Sequence, residues 1–170
     1  MRRGMGLLLG LALLLAAGRA EAASIAVVPS SASVAPGGLV TVDVVISGLG
    51  AGSAPSLSGF DLDLAFGAPS LGFVSIAFGT ALGTGGQVLS SVSVLPGPLV
   101  DFAQASLLAS GTLDSQQPAS FVLATLTFEG LTPGLAALSV TQAVLADTSA
   151  VPGGNQIPVE ALTGAAILVT

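Results

Sequence analysis

A chain of 170 residues has room for one domain with a full core, and its 52% hydrophobic and 7% charged content, with 23 glycines and 10 prolines, suits short strands joined by tight turns rather than long amphipathic helices. All three basic side chains, Arg2, Arg3 and Arg19, fall in the first 22 residues. The remainder therefore has nothing to release counterions from phosphates, which excludes nucleic-acid binding and electrostatic attachment to anionic lipid. Zero cysteines exclude a disulfide framework and a lipid-modified cysteine, so burial must stabilise the fold.

Residues 1–22 read as a secretory signal peptide. Met1-Arg2-Arg3 is the positive start, Gly4 to Gly18 is uncharged and Leu-rich, and Ala20-Glu21-Ala22 fits the small-residue cleavage rule. The apolar run is shorter than the about 20 residues a spanning helix needs and has no basic flank after it, so no stable membrane span is expected once the signal is cleaved. Cleavage after Ala22 leaves eight acidic residues and no basic side chain. The protein is expected to be secreted or held at the cell surface, with residues 23–170 forming a single domain and any charged partner cationic.

The mature chain opens on a short apolar strand from Ser24 to Val28, followed by the turn-rich connector Pro29 to Gly38. Leu39 to Ser47 alternates, with Val40, Val42, Val44 and Ile46 on one face and Thr41, Asp43 and Ser47 on the other. After a flexible loop from Gly48 to Pro55, Phe60, Leu62, Leu64 and Phe66 alternate with Asp61, Asp63 and Ala65, the pattern of a half-buried strand. Gly67 and Pro69 break that run, and Val74, Ile76 and Phe78 alternate again up to Gly79.

Val88 to Leu95 is a weaker strand pattern, ended by the turn Pro96-Gly97-Pro98. In Leu99 to Ser106, placing Phe102 in the core puts Val100 and Gln104 beside it and Asp101 outside. The stretch 107–120 reads as a long surface loop carrying Asp114. Phe121 to Glu129 offers Val122, Ala124, Leu126 and Phe128 to one face. Leu135 to Leu145 is a strand or pair with a bulge near Thr141, 151–158 is a Gly/Pro loop, and Ala161 to Val169 closes the domain. About nine strands at this spacing predict an all-β protein, an antiparallel β-sandwich with jelly-roll topology and no helix.

Chemistry is nearly absent from this pattern. Beyond Arg19 the chain has no His, Cys, Lys, Arg or Tyr, so a serine nucleophile would lack a base, and nothing marks one carboxylate pair as a glycosidase site. No enzyme activity is expected. No cofactor is expected either; calcium is the one candidate, through Asp61, Asp63 and Asp101 on outer strand faces. The helical calcium-loop pattern fails, because Ala65-Phe66 stand where a third ligand and glycine belong and Gly72 where a bidentate Glu belongs. A solvated acidic face is the favoured reading of these aspartates. Sugar platforms use Trp or Tyr, and both are missing.

In their order, VVPSSASVAPGGLVTVDVVIS, FDLDLAF followed by LGFVSIAFG, FVLATLTFEGL and the Gly-led strand from Gly134 resemble the cohesin family of secreted bacterial β-sandwich modules. Gly67 departs from the family pattern, which tends to place an Asp there before the Pro turn. The resemblance implies a non-catalytic recognition module that binds another protein, dockerin-bearing or other, through an outer sheet face including Phe60 to Phe66. Asp61, Asp63 and Asp101 become the partner-binding residues. The alternative is a carbohydrate-binding module of the same fold, binding polysaccharide and linked to its breakdown.

Overall fold

The structure, a computed structural model, describes residues 22–148 and 155–170. All of the expected signal peptide except Ala22 lies outside these residues, as does the first half of the 151–158 loop. The strands are β1 (Ala23–Pro29), β2 (Ser33–Val34), β3 (Leu39–Ser47), β4 (Leu57–Phe66), β5 (Leu71–Phe78), β6 (Val88–Leu95), β7 (Leu99–Ser106), β8 (Ser120–Gly130), β9 (Gly134–Asp147), β10 (Val159–Thr163) and β11 (Ala165–Val169), with a short helix α1 (Ser110–Gln116) between β7 and β8. They form a sandwich of a five-stranded sheet, β10-β1-β3-β8-β5, and a six-stranded sheet, β2-β11-β9-β4-β7-β6.

The nine expected strands become eleven because the first and the last are each shared between the sheets. β1 and β10 lie in one sheet, and their continuations β2 and β11 lie in the other. The last strand divides at Gly164, where an added Cβ would stand 2.6 Å from the Leu138 carbonyl oxygen. First and last strands also run the same way, so β1·β10 and β2·β11 are parallel and the sandwich is mixed rather than wholly antiparallel.

Alternation places the core as expected along β3 and β4: Val40, Val42, Val44, Ile46, Phe60, Leu62, Leu64 and Phe66 are all buried. Bulges absent from the sequence reading shift the phase elsewhere, those in β5 and β8 among them. In β5 the register jumps between Phe73 and Ser75, so Val74 turns outward and Phe73 packs its ring 5.9 Å from that of Phe128. In β8 the partners of Val44 and Val45 are Ala124 and Val122, which leaves Leu123 without a β3 partner and buried while Val122 is only half-buried. The bulge expected near Thr141 is present: Asp63 pairs with Gln142 and Leu64 with Val140.

Phenylalanines tie the sheets together in two groups. Phe60 of β4 lies 6.1 Å from Phe102 of β7 and 6.3 Å from Phe78 of β5, while Phe66 of β4 lies 5.3 Å from Phe128 of β8. Gly67 follows Phe66 where β9 passes so close that a Cβ would sit 2.6 Å from the Ala136 Cα. A side chain of any kind is excluded there, which accounts for the departure from Asp.

The stretch expected to be a surface loop instead contains α1, which is too short to show a helical period and buries only Leu113. Its exit residue Gln117 is buried and acts as a strand would. Its Oε1 accepts from the Leu57 N–H at 2.7 Å, and its Nε2 donates to the carbonyls of Leu57 at 2.7 Å and Ala81 at 3.2 Å. Asp114 is also not simply solvated: its Oδ1 accepts from the buried Ser56 hydroxyl and from Thr148 Oγ1 at 2.8 Å. Gln104 contrasts with Gln117. It is buried on β7 with Nε2 donating to Ser90 Oγ at 3.1 Å, but its Oε1 has no partner. Gln117→Leu should therefore lower stability by at least about 2 kcal/mol by stranding the Leu57 backbone groups, whereas Gln104→Leu should cost far less; urea unfolding of both variants measures the difference.

Candidate functional site

The outer face of the six-stranded sheet is set by the same alternation that fills the core. On β4 the outward row is Gly59, Asp61, Asp63 and Ala65, and opposite them on β7 stand Ala105, Ala103, Asp101 and Leu99. β6 continues the rows with Leu89, Ser91, Ser93 and Leu95, and β9 with Ala146, Val144, Gln142 and Ser139. The face thus has three zones. One end is a shallow, open dish of about 430 Å³, walled by Gly59, Ala103, Ala105, Ala146, Val144 and Leu89 with Asp61 at its border. The middle carries the carboxylates, and hydroxyl and amide groups flank them.

All three aspartates expected at the site come together here. Asp63 and Asp101 are directly opposite across β4·β7, and Asp61 is one row away. The Phe66 N–H donates to the Pro98 carbonyl at 3.0 Å, so counting along the ladder makes Asp63 and Asp101 a non-hydrogen-bonded pair, the kind in which side chains approach most closely. Like charges so placed repel, and residues 22–170 contain no Lys, Arg or His to offset them. Partial burial, then the charges of Asp101 and Asp63, raise the Asp61 carboxyl above its ordinary value, and a hydrogen bond with the Asp101 carboxyl acts in the same direction.

Periodicity places the three aspartates outward, as they are, but does not disclose the dish beside them. Its signal was available, since glycine and alanine occupy the outward positions 59, 103 and 105 where a solvated strand commonly carries larger polar groups. Asp43 lies on the other sheet, its Oδ1 accepting from Thr125 Oγ1 at 2.6 Å, and takes no part in this face. Among the described residues no group of three or more His, Cys, Asp or Glu is arranged to hold a metal ion. No ring is available for sugar stacking on this face: Phe60, Phe66, Phe102 and Phe128 are buried, and Phe73, Phe78 and Phe121 pack against the core. No helix among the described residues is long and apolar enough to cross a membrane.

An acid with a raised native-state value binds its proton more readily folded than unfolded. Asp61 therefore costs stability as pH rises from the ordinary carboxylate value through its folded value, and that cost disappears as pH falls. Asp61→Asn should raise neutral-pH stability, by less than about 1 kcal/mol because the group is solvent-screened, and should flatten the pH dependence. Melting temperatures at pH 4 and pH 7 check both.

Neither protein-family models nor curated proteins give a match to the chain. Solved structures do. A type II cohesin domain from the cellulosome of Acetivibrio cellulolyticus aligns with a TM-score of 0.69 at 18% identity, over 86% of this chain and 95% of that one. A chain of a type I cohesin–dockerin complex from Clostridium thermocellum aligns at 0.68 and 12% identity, over 88% and 99%. A non-cellulosomal cohesin from the hyperthermophilic archaeon Archaeoglobus fulgidus aligns at 0.64 and 16%, over 88% and 91%. At these identities the likeness establishes the fold, a cohesin-like β-sandwich.

Proposed function

We propose that this cohesin-like β-sandwich is an exported, non-catalytic module that recognises another protein through the outer face of β9, β4, β7 and β6. The observation that carries the reading is a row of mutually repelling carboxylates, Asp61, Asp63 and Asp101, beside an apolar dish and without a cation in the same domain to balance them. A partner that lays a basic side chain over the aspartates and an apolar one into the dish relieves the repulsion and buries the dish together. Dockerin modules are the partner class supported by the fold, since one structure of this fold was solved as a cohesin–dockerin complex.

The absence of His, Cys, Lys, Arg and Tyr from residues 22–170 supports a binding role over a catalytic one, because no nucleophile has a base and the carboxylates lie on an open face rather than in a cleft. Export is supported by the charged start, Leu-rich run and Ala20-Glu21-Ala22 of the first 22 residues.

Calorimetric titration with a panel of dockerins tests the reading. Replacing Asp61, Asp63 and Asp101 together by Asn should weaken a bound partner tenfold or more, which is about 1.4 kcal/mol, and Asp43→Asn on the opposite sheet should change nothing. Equal affinity of the triple variant and the parent protein would remove the aspartates from the interface. The module should also need no metal: the melting temperature should be the same with calcium and with chelator, whereas a calcium-dependent rise would show an ion bound to the folded state.

A further inference from the structure

Sheet edges expose unpaired backbone groups, and folded proteins blunt them by shortness, charge, proline or bulges. Of the four edges here, β2 has two residues, β10 has five and carries Glu160, and β5 is bulged at Val74. β6 has none of these devices. Its eight residues, VLSSVSVL, pair with β7 in unbroken register and include no charge and no proline, and among the described residues nothing pairs with its other side. The five-stranded sheet does not cover it, so Val92 is 41% and Val94 59% exposed on the inner side and Leu89 63% exposed on the outer.

The direction of the free backbone groups can be counted. The Leu107 N–H donates to the Gln87 carbonyl at 2.7 Å, so odd-numbered residues of β6 face β7, and Val88, Ser90, Val92 and Val94 direct their N–H and C=O groups to the open edge. A second β6 laid antiparallel about a two-fold axis through Val92 meets those groups with its own. Val92 then pairs with Val92 and Ser90 with Val94 through the backbone, while Leu89 stands opposite Leu95 and Ser91 opposite Ser93. Apolar meets apolar and serine meets serine on the outer side, and keeping residues of one parity opposite each other continues the pleat from one copy into the next.

We propose that β6 is a self-association edge: two copies of this chain pair β6 to β6 about Val92, joining their six-stranded sheets into one and covering Val92 and Val94 in the cleft between the two five-stranded sheets. The chemistry is isologous strand addition, in which the same patch serves both partners. It does not depend on the dockerin reading, because Val92 faces away from the aspartate surface.

Sedimentation equilibrium of the purified protein over a dilution series should show a dimer in reversible exchange with monomer. Val92→Lys puts two like charges on the axis and should leave monomer only, while Val74→Lys on the bulged β5 edge should leave the dimer intact. Because the chain has no cysteine, single cysteines report the register directly. Val92→Cys should be cross-linked by a short bis-maleimide, and Val88→Cys should not, its two copies lying more than about 20 Å apart along the strands. A monomer at every concentration, or equal cross-linking at both positions, would overturn the proposal.

Discussion

Contacts among six phenylalanine rings hold the two sheets in register across the core. Phe60, Phe78 and Phe102 meet in one part of the interior and Phe66, Phe73 and Phe128 in another, each group drawing on both sheets. In a chain with no disulfide and, from residue 22 onward, no basic side chain, burial of these rings and of the Val, Ile and Leu around them is the main stabilising term. Everything on the surface follows from it, because a strand that points one residue into the core must point the next one out.

That coupling explains how much of the molecule the sequence discloses. β3, and β4 from Phe60 to Phe66, alternate without interruption, so both their buried residues and the outward Asp61 and Asp63 can be read by counting in twos. Asp101 follows from Phe102 in the same way. What brings Asp101 opposite Asp63 is the pairing of β4 with β7, a long-range choice that periodicity within one strand does not encode. The bulges at Val74 and Leu123 are equally invisible, since each is imposed by a neighbouring strand's register. The bulge at Thr141 is legible only because it interrupts an otherwise long apolar alternation.

α1 shows a different limit. Seven residues with one buried leucine have no helical stripe to detect, and the segment is held by what it touches: the Gln117 side chain completes the backbone bonding of Leu57, and Asp114 gathers the hydroxyls of Ser56 and Thr148. Gly67 is the converse case, a residue whose identity is plain but whose reason lies in Ala136, some seventy positions away in sequence and almost in contact in space. Polar residues in this protein mostly serve such local closures. The three carboxylates on the outer sheet face differ, being grouped with one another rather than closing onto backbone or hydroxyl groups.

The sharing of the first and last strands between both sheets also orders events during synthesis. Among the described residues β2 pairs only with β11, and one side of β9 stays open until β11 arrives, so residues 165–169 complete the six-stranded sheet only after the other ten strands have been made. Contacts between such distant segments are slow to form, because most of the loop-closure entropy is spent before they can contribute. A nascent chain of this design therefore holds one edge of β9 open until residues 165–169 have been made.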